Sequence, residues 1–239
     1  MKILISGGNS KFSKELQKQN TKHTLISLSK EEMDITNINS VYEAIYKHTP
    51  DIFIHTAALS RPMSLHSDYP EKSINLNIIG TSNCVIACLK QNIKFIYIST
   101  DFVYPGTIGN YNEEDSLLPI NKYAWSKLGG ECACMLYDNS LILRMAMVEK
   151  PFPHKKAFTN SFKSSIWYPD AAKIVFKLID LDLRGIYNIG GERKSIFNFA
   201  SEEDFNILPE NKDNILEKVP NDISMNINKL KNILNDTTI

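Results

Sequence analysis

The chain has 239 residues, with 27 basic and 27 acidic side chains and no net charge. That length suffices for one large domain with a sizeable core, and balanced charge gives no support for nucleic acid or an anionic membrane as the main partner. No apolar run approaches the roughly 20 residues of a membrane span, and none near the start resembles a leader, so a cytoplasmic location is expected.

KILIS (2–6) is a short apolar run bounded by glycines and predicts a buried strand. FSKELQKQN (12–20) reads as a helix, and HTLISLS (23–29), β-branched and alternating, as a second strand. INSVYEAIYKH (38–48) is amphipathic and ends before Pro50; DIFIHTAA (51–58) follows as a third strand. Residues 71–92 carry apolar positions at helical spacing, and KFIYIST (94–100) is a fourth strand. YAWSKLGGECACMLYD (123–138) predicts a long helix and SLILRM (140–145) a fifth strand. Residues 149–169 are irregular and predict a loop over the site. DAAKIVFKLIDLD (170–182), GIYNIG (185–190), SIFNFASEED (195–204) and NINKLKNILN (226–235) then read as helix, strand, helix and a last amphipathic helix.

Alternating strands and helices place the chain in the α/β class, with a Rossmann-type doubly wound parallel sheet. The expected organisation is a single dinucleotide-binding domain over residues 1–239. A small, shortened C-terminal substrate-binding portion is drawn from about 145–170 and 190–239. Cys84 and Cys88 are one helical turn apart, and Cys132 and Cys134 lie two apart. Neither is zinc-ribbon spacing, so packed, reduced thiols and no metal site are expected.

ISGGNSKF (5–12) runs from strand through glycines into helix, the arrangement that holds a pyrophosphate on backbone N–H groups. Gly7, Gly8, Asn9, Ser10, Lys11 and Phe12 are its candidate cofactor residues. Gly7 supplies the tight turn, but Ser10 and Ser13 stand where the second and third glycines of the fingerprint belong. After the second strand, Ser29-Lys30 replaces the acidic residue that holds a ribose 2′-OH. A hydroxyl and a cation suit a 2′-phosphate, which favours NADP(H) with NAD(H) as the alternative. Asp34 and Ile35 are placed at the adenine.

FIYISTDFVYPG ends a strand in Ser99, Thr100 and Asp101, at the sheet edge where α/β proteins bind ligands. Tyr123 and Lys127 follow at i and i+4, on one helix face. A Lys ammonium near a Tyr phenol is expected to draw its pKa down from about 10. With the Thr hydroxyl they make a proton-transfer device for a carbonyl or alcohol.

The segments ISGGNSKFS, MDIT, PDIFIHTAALSRP, NLNIIGTSN, FIYISTDFVYPG, YNEEDSLLPINKYAWSKLGGE, LILR and GIYNIGGERKSIFNFA together resemble the extended short-chain dehydrogenase/reductases, and within them the dTDP-4-dehydrorhamnose reductase group. The resemblance covers most of residues 1–144 and returns at about 166–203. It implies Thr100, Tyr123 and Lys127 as the catalytic set and Asn77 as a support of the site. His55, Ala57 and Ala58 would line the cofactor, and a nucleotide-diphosphate sugar would be the substrate. Asp101, Phe102, Arg144 and Lys155 are the substrate-binding candidates. Lys155 stands in the His154–Lys156 cluster, for which a solvated basic loop is the competing reading; for Arg144 the competitor is an ion pair at the sheet edge. The helices at 71–92 and 123–138 resemble those that pair across a two-fold, so a homodimer through them is weighed against packing within one chain.

Of the remaining residues, Trp125 is assigned to packing, Trp167 to the core or the site lining, His23, His48 and His66 to the surface, and Asp170 to a helix N-cap. The expected activity is NADPH-dependent reduction of a nucleotide-linked 4-keto-6-deoxy sugar, in deoxysugar biosynthesis. Two alternatives stand beside it. One is a non-catalytic cofactor-binding regulatory or scaffold subunit, suggested by the altered glycine turn and the short segment between LILR and WYPDAAK. The other is a sugar-nucleotide epimerase or dehydratase, suggested by Asp101 beside Thr100.

Overall fold

The computed structural model describes residues 1–214 and 219–234. Strand and helix alternate from the start: β1 (Lys2–Ser6), α1 (Lys11–Gln17), β2 (Thr24–Leu28), α2 (Ile38–His48) and β3 (Ile52–His55). Two short helices, α3 (Ser64–Asp68) and α4 (Pro70–Ser73), run into a π-helical turn at Ile74–Ile79 and then α5 (Gly80–Gln91). β4 (Lys94–Thr100), a 3-10 turn at Asp101–Val103, α6 (Lys122–Cys134) and β5 (Ser140–Met145) complete the sheet's centre. Beyond it lie β6 (Met147–Val148), β7 (Lys156–Phe158), β8 (Phe162–Lys163), β9 (Ile166–Trp167), α7 (Tyr168–Asp180) and β10 (Gly185–Ile189). β11 (Lys194–Ser195), α8 (Ile196–Ser201), β12 (Leu208–Glu210) and α9 (Asn228–Leu234) follow. The last residue of NINKLKNILN lies outside the described residues.

Six parallel strands form one sheet in the order β2-β1-β3-β4-β5-β10. Their alternation builds two cores. Ile3, Ile5, Ile52, Ile54, Ile96, Ile98, Leu141 and Leu143 point to α1, α7 and α9. Leu4, Phe53, Phe95, Tyr97 and Ile142 point to α2, α5 and α6. Burial on both faces is why these strands read as continuous apolar runs. Strand order reverses between β1 and β3, so the crevice for a ligand opens at the carboxyl ends of those two strands.

Several boundaries differ from the sequence reading, each for a physical reason. β3 stops at His55 because Thr56 leaves the ladder and donates its hydroxyl to the Ser6 carbonyl at 2.6 Å. The helix over 71–92 is not continuous; its π-turn turns Asn77 inward, where it is 1% exposed. Residues 149–169 are not a free loop, because β6 pairs with β9, β7 with β12 and β8 with β11. Asp170 is not an N-cap: it lies in the first turn of α7 and pairs with Lys173 at 2.9 Å.

Candidate active site

The turn after β1 fits a dinucleotide. Gly7 adopts φ +68°, and a Cβ there would lie 2.7 Å from the Ala57 Cα. Only glycine satisfies both the left-handed backbone and that approach. A Cβ on Gly8 would meet the Ser27 Oγ at 2.7 Å. The two unexpected serines have defined partners. Ser10 is the N-cap of α1 and accepts the Ser13 N–H at 3.1 Å, with its hydroxyl 3.3 Å from that of Thr56. It is therefore turned back onto its own helix and does not project into the phosphates' place. Ser13 is fully buried and sits where a glycine would let helix and strand close. Its hydroxyl lies 3.1 Å from Ser27 Oγ, so a polar contact replaces that close approach. Gln17 Nε2 completes the join by donating to the Gly8 carbonyl at 3.1 Å.

Asn9 and Lys11 are exposed on this turn, and Ala57 and Ala58 line it half-buried from the loop after β3. Phe12 is not a groove residue: it packs into the core, edge-on to Tyr168 with ring centroids 5.7 Å apart. Ser29 N–H donates to Glu32 Oε2 at 2.8 Å. Hydrogen bonds from the Ser29 backbone and hydroxyl hold the Glu32 carboxyl below its usual range. Lys30 is exposed beside them. Asp34 accepts the Thr36 N–H and hydroxyl at 2.9 and 2.7 Å, which holds its carboxyl low. Ile35 is a core residue lying under Gly80, so adenine contact is not its role.

Thr100 and Tyr123 come together where β4 meets α6, and Lys127 lies one helical turn beyond Tyr123 with its ammonium over Tyr97 of β4. Thr100 ends β4, donates to Asp101 Oδ1 at 3.1 Å and accepts the Phe102 N–H at 3.3 Å. Tyr123 interacts with the Thr100 hydroxyl, but burial dominates and pushes its phenol up, and the Asp101 charge adds to the rise. The direction is opposite to that expected from a neighbouring ammonium: burial outweighs the Thr100 hydrogen bond and the Arg61 charge, which favours the protonated phenol. Lys127 is 4% exposed, with its ammonium 4.1 Å from the centroid of the Tyr97 ring. Burial brings its pKa down to about 8, while Cys134 and Glu131 oppose the fall. Asp101 is fixed by an ion pair with Lys163 at 2.9 Å, and the same ammonium covers the Phe102 ring at 4.4 Å.

Several sequence candidates are supports rather than contacts. His55 is 1% exposed, with Nδ1 2.8 Å from Ser6 Oγ and Nε2 3.0 Å from Thr81 Oγ1. Thr81 spends its own hydrogen on the Asn77 carbonyl. His55 therefore carries its proton on Nε2, and burial lowers its pKa to about 3, so it is neutral. It braces the crevice floor and does not line the cofactor groove. Asn77 accepts the Leu59 N–H at 2.7 Å and donates to the Leu59 carbonyl and to Ser126 Oγ. It thereby ties the loop after β3 to α6. Arg144 is buried, and four of its five N–H groups are bonded, to Glu131, the Tyr104 hydroxyl and the Glu113 carbonyl, so the ion pair is what the structure shows for it. Lys155 is exposed, and its carbonyl accepts the Leu208 N–H.

Sequence reasoning missed His66, which is buried beside Tyr123 with ring centroids 5.2 Å apart and Nδ1 2.7 Å from Ser73 Oγ. It also missed His23, buried against Phe176 and 3.0 Å from Asp180. Trp125 is half exposed rather than packed, whereas Trp167 is buried on Phe199. Lys163, Arg61 and Glu149 were not singled out, because their partners lie far away in sequence. Among the described residues no cluster could hold a metal, and no helix is long and apolar enough to cross a membrane.

Residues 1–177 match the model of the RmlD substrate binding domain family. The chain is 33% identical over 111 residues to methionine adenosyltransferase 2 subunit beta of Bos taurus, covering 46% of this chain and 32% of that protein. It is 28% identical over 148 residues to dTDP-4-dehydrorhamnose reductase of Aggregatibacter actinomycetemcomitans, covering 60% of this chain and 50% of that one. The chain thus spans a third to a half of the length of these curated relatives. The solved dTDP-4-dehydrorhamnose reductase of Bacillus anthracis, in complex with NADP, superposes with a TM-score of 0.87 at 25% identity. That superposition covers 98% of this chain and 92% of the other.

Proposed function

The chain belongs to the RmlD substrate binding domain family, and from that premise we propose that it is an NADP(H)-dependent oxidoreductase of the extended short-chain type, reducing a nucleotide-linked 4-keto-6-deoxy sugar. The observation that supports this reading is the interaction of Thr100, at the end of β4, with Tyr123 on α6, with the buried Lys127 one helical turn further on and a close-packed glycine turn after β1. The backbone N–H groups of the turn from Gly7 to Ser10 would hold the diphosphate, and the exposed Lys30 the 2′-phosphate. A bound reduced nicotinamide supplies a hydride to the carbonyl carbon. Tyr123 gives its phenolic proton to the carbonyl oxygen, and burial suits it to that role by keeping the proton on. Lys127 holds positive charge behind the departing proton, and Thr100 orients the phenol. Asp101, paired with Lys163, acts as an acceptor for sugar hydroxyls rather than as the acid a dehydratase needs.

The small lobe built from β7, β8, β11, β12 and α8 would hold the nucleotide sugar, in line with substrate elements at about 145–170 and 190–239. The test is turnover: NADPH oxidation by purified protein with dTDP- and UDP-linked 4-keto-6-deoxy sugars. Saturable reduction supports the reading. NADPH binding without turnover across that panel supports the second one, a non-catalytic subunit. That second reading is favoured by the similarity to a protein named as a subunit of a larger enzyme.

A homodimer is part of the proposal. Ile79 and Ile86 are seven residues apart and exposed, as are Trp125 and Cys132 on α6. Leu89 and Met135 extend the same two outer faces. Packed against a second copy, these helices would form a four-helix interface. Light scattering should give twice the chain mass, and Ile86→Glu should halve it; a monomeric wild type would refute the interface.

A further inference from the structure

Three side chains from three strand ends meet above the crevice. Lys11 directly follows the glycine turn after β1, and its Nζ lies 2.5 Å from Glu149 Oε2. Arg61, on the loop after β3, has Nη1 3.6 Å from Glu149 Oε1. Glu149 follows β6, beyond the end of β5. In the sheet β1 and β5 are separated by β3 and β4, so their tips lie three strand spacings apart, about 14 Å. The Lys11–Glu149 contact bridges that distance. A dinucleotide reaching from the turn at Gly7 to Thr100 at the end of β4 and Tyr123 on α6 has to pass the same line.

The exposures are unequal. The Lys11 and Arg61 side chains are 72% and 60% exposed, and that of Glu149 is 17%. One sheltered carboxylate therefore stands between two open cations. The arrangement resembles an anion held by a basic cleft, with the anion supplied by the chain itself. Exposed ion pairs are weak, so the cations are readily exchanged to a better partner. A diphosphate carries two charges and more acceptor oxygens than one carboxylate, which makes it that partner. The Arg61 charge also bears on Tyr123 and on Tyr168, which puts it at the reacting end of the groove.

We propose that Glu149 is an internal counter-anion in the cofactor groove, and that Lys11 and Arg61 pass from it to the diphosphate when a dinucleotide binds. The proposal rests on the dinucleotide-binding reading above. Glu149, left beside the incoming anion, opposes it by like-charge repulsion, so the carboxylate sets the affinity at which the groove fills. The cations that would bind the diphosphate are meanwhile kept in place.

The test is calorimetric titration of wild type, Glu149→Gln and Lys11→Gln/Glu149→Gln with NADPH and with ADP-ribose, which has the diphosphate but no nicotinamide. Glu149→Gln should lower Kd for both probes roughly tenfold, and the added Lys11→Gln should abolish most of that gain. A thermal melt checks that each variant is folded. Wild-type binding that is unchanged or weakened in Glu149→Gln overturns the counter-anion and leaves the enzyme reading standing. Failure of every variant to bind either probe overturns both.

Discussion

Replacing Tyr123 by Phe should lower kcat for carbonyl reduction by roughly a thousandfold while leaving the dinucleotide Kd within about twofold of wild type. A positioned general acid contributes on the order of 10²–10⁴ in rate, and the upper half of that range is expected because the groups around the phenol are poor substitutes: burial holds the Tyr168 phenol high. His66, the ring beside Tyr123, is buried, and burial lowers its pKa, so it is neutral at working pH. Asp101 is committed to Lys163. The substitution removes one oxygen and keeps the ring on His66, so packing is preserved. Single-turnover kinetics with saturating NADPH separate the chemical step from binding. A loss smaller than tenfold would mean that the proton comes from water or another residue, and the role given to Tyr123 would fall.

What could be read in advance follows from the range of the interactions involved. β1, α2, β4 and β5 have the bounds expected of them because each is specified by its own apolar period and its own end signals. Thr49 at φ 43° closes α2 just before Pro50, for example. Tyr123 and Lys127 were legible because four residues make one helical turn. The serines of the glycine turn were legible as departures, but not as a working solution, because that depends on Ser27 and Thr56 arriving from other strands. The segment after β5 has no strand signal of its own because β7 and β8 exist only through β12 and β11, 52 and 32 residues onward by their first residues. For Arg144 the sequence leaves ion pair and ligand contact open, because nothing near it in sequence announces Glu131. Glu149 was invisible for the same reason, with its partner Lys11 138 residues away.

Glu131→Gln should destabilise the fold and move the alkaline limb of the pH–rate profile toward neutrality. Glu131 is 1% exposed; its Oε1 accepts from Arg144 Nε at 2.8 Å and from Nη2 at 2.5 Å, and its Oε2 accepts from Ser99 at 2.8 Å. Removing one partner of a buried pair strands the other charge and costs about 3–5 kcal/mol. For a chain of this length each kcal/mol is about 2–4 °C in Tm, so a drop of roughly 10 °C is expected. Glu131 also lies one turn beyond Lys127 and supports its ammonium, whose pKa burial has brought down to about 8. Without the carboxylate that pKa falls further, the ammonium is lost at lower pH, and kcat/KM declines earlier on the alkaline side. The linkage to stability has a definite sign. Lys127 binds its proton less well folded than unfolded, so stability gained from losing it rises with pH between about 8 and the unfolded value near 10.4. In Glu131→Gln that window opens at lower pH. Arg144→Met separates the two effects: it also breaks the pair and lowers Tm, but it keeps the carboxylate, so the alkaline limb should not move toward neutrality. Equal alkaline shifts in both variants would show that the limb follows general loosening of α6 rather than the charge on Glu131.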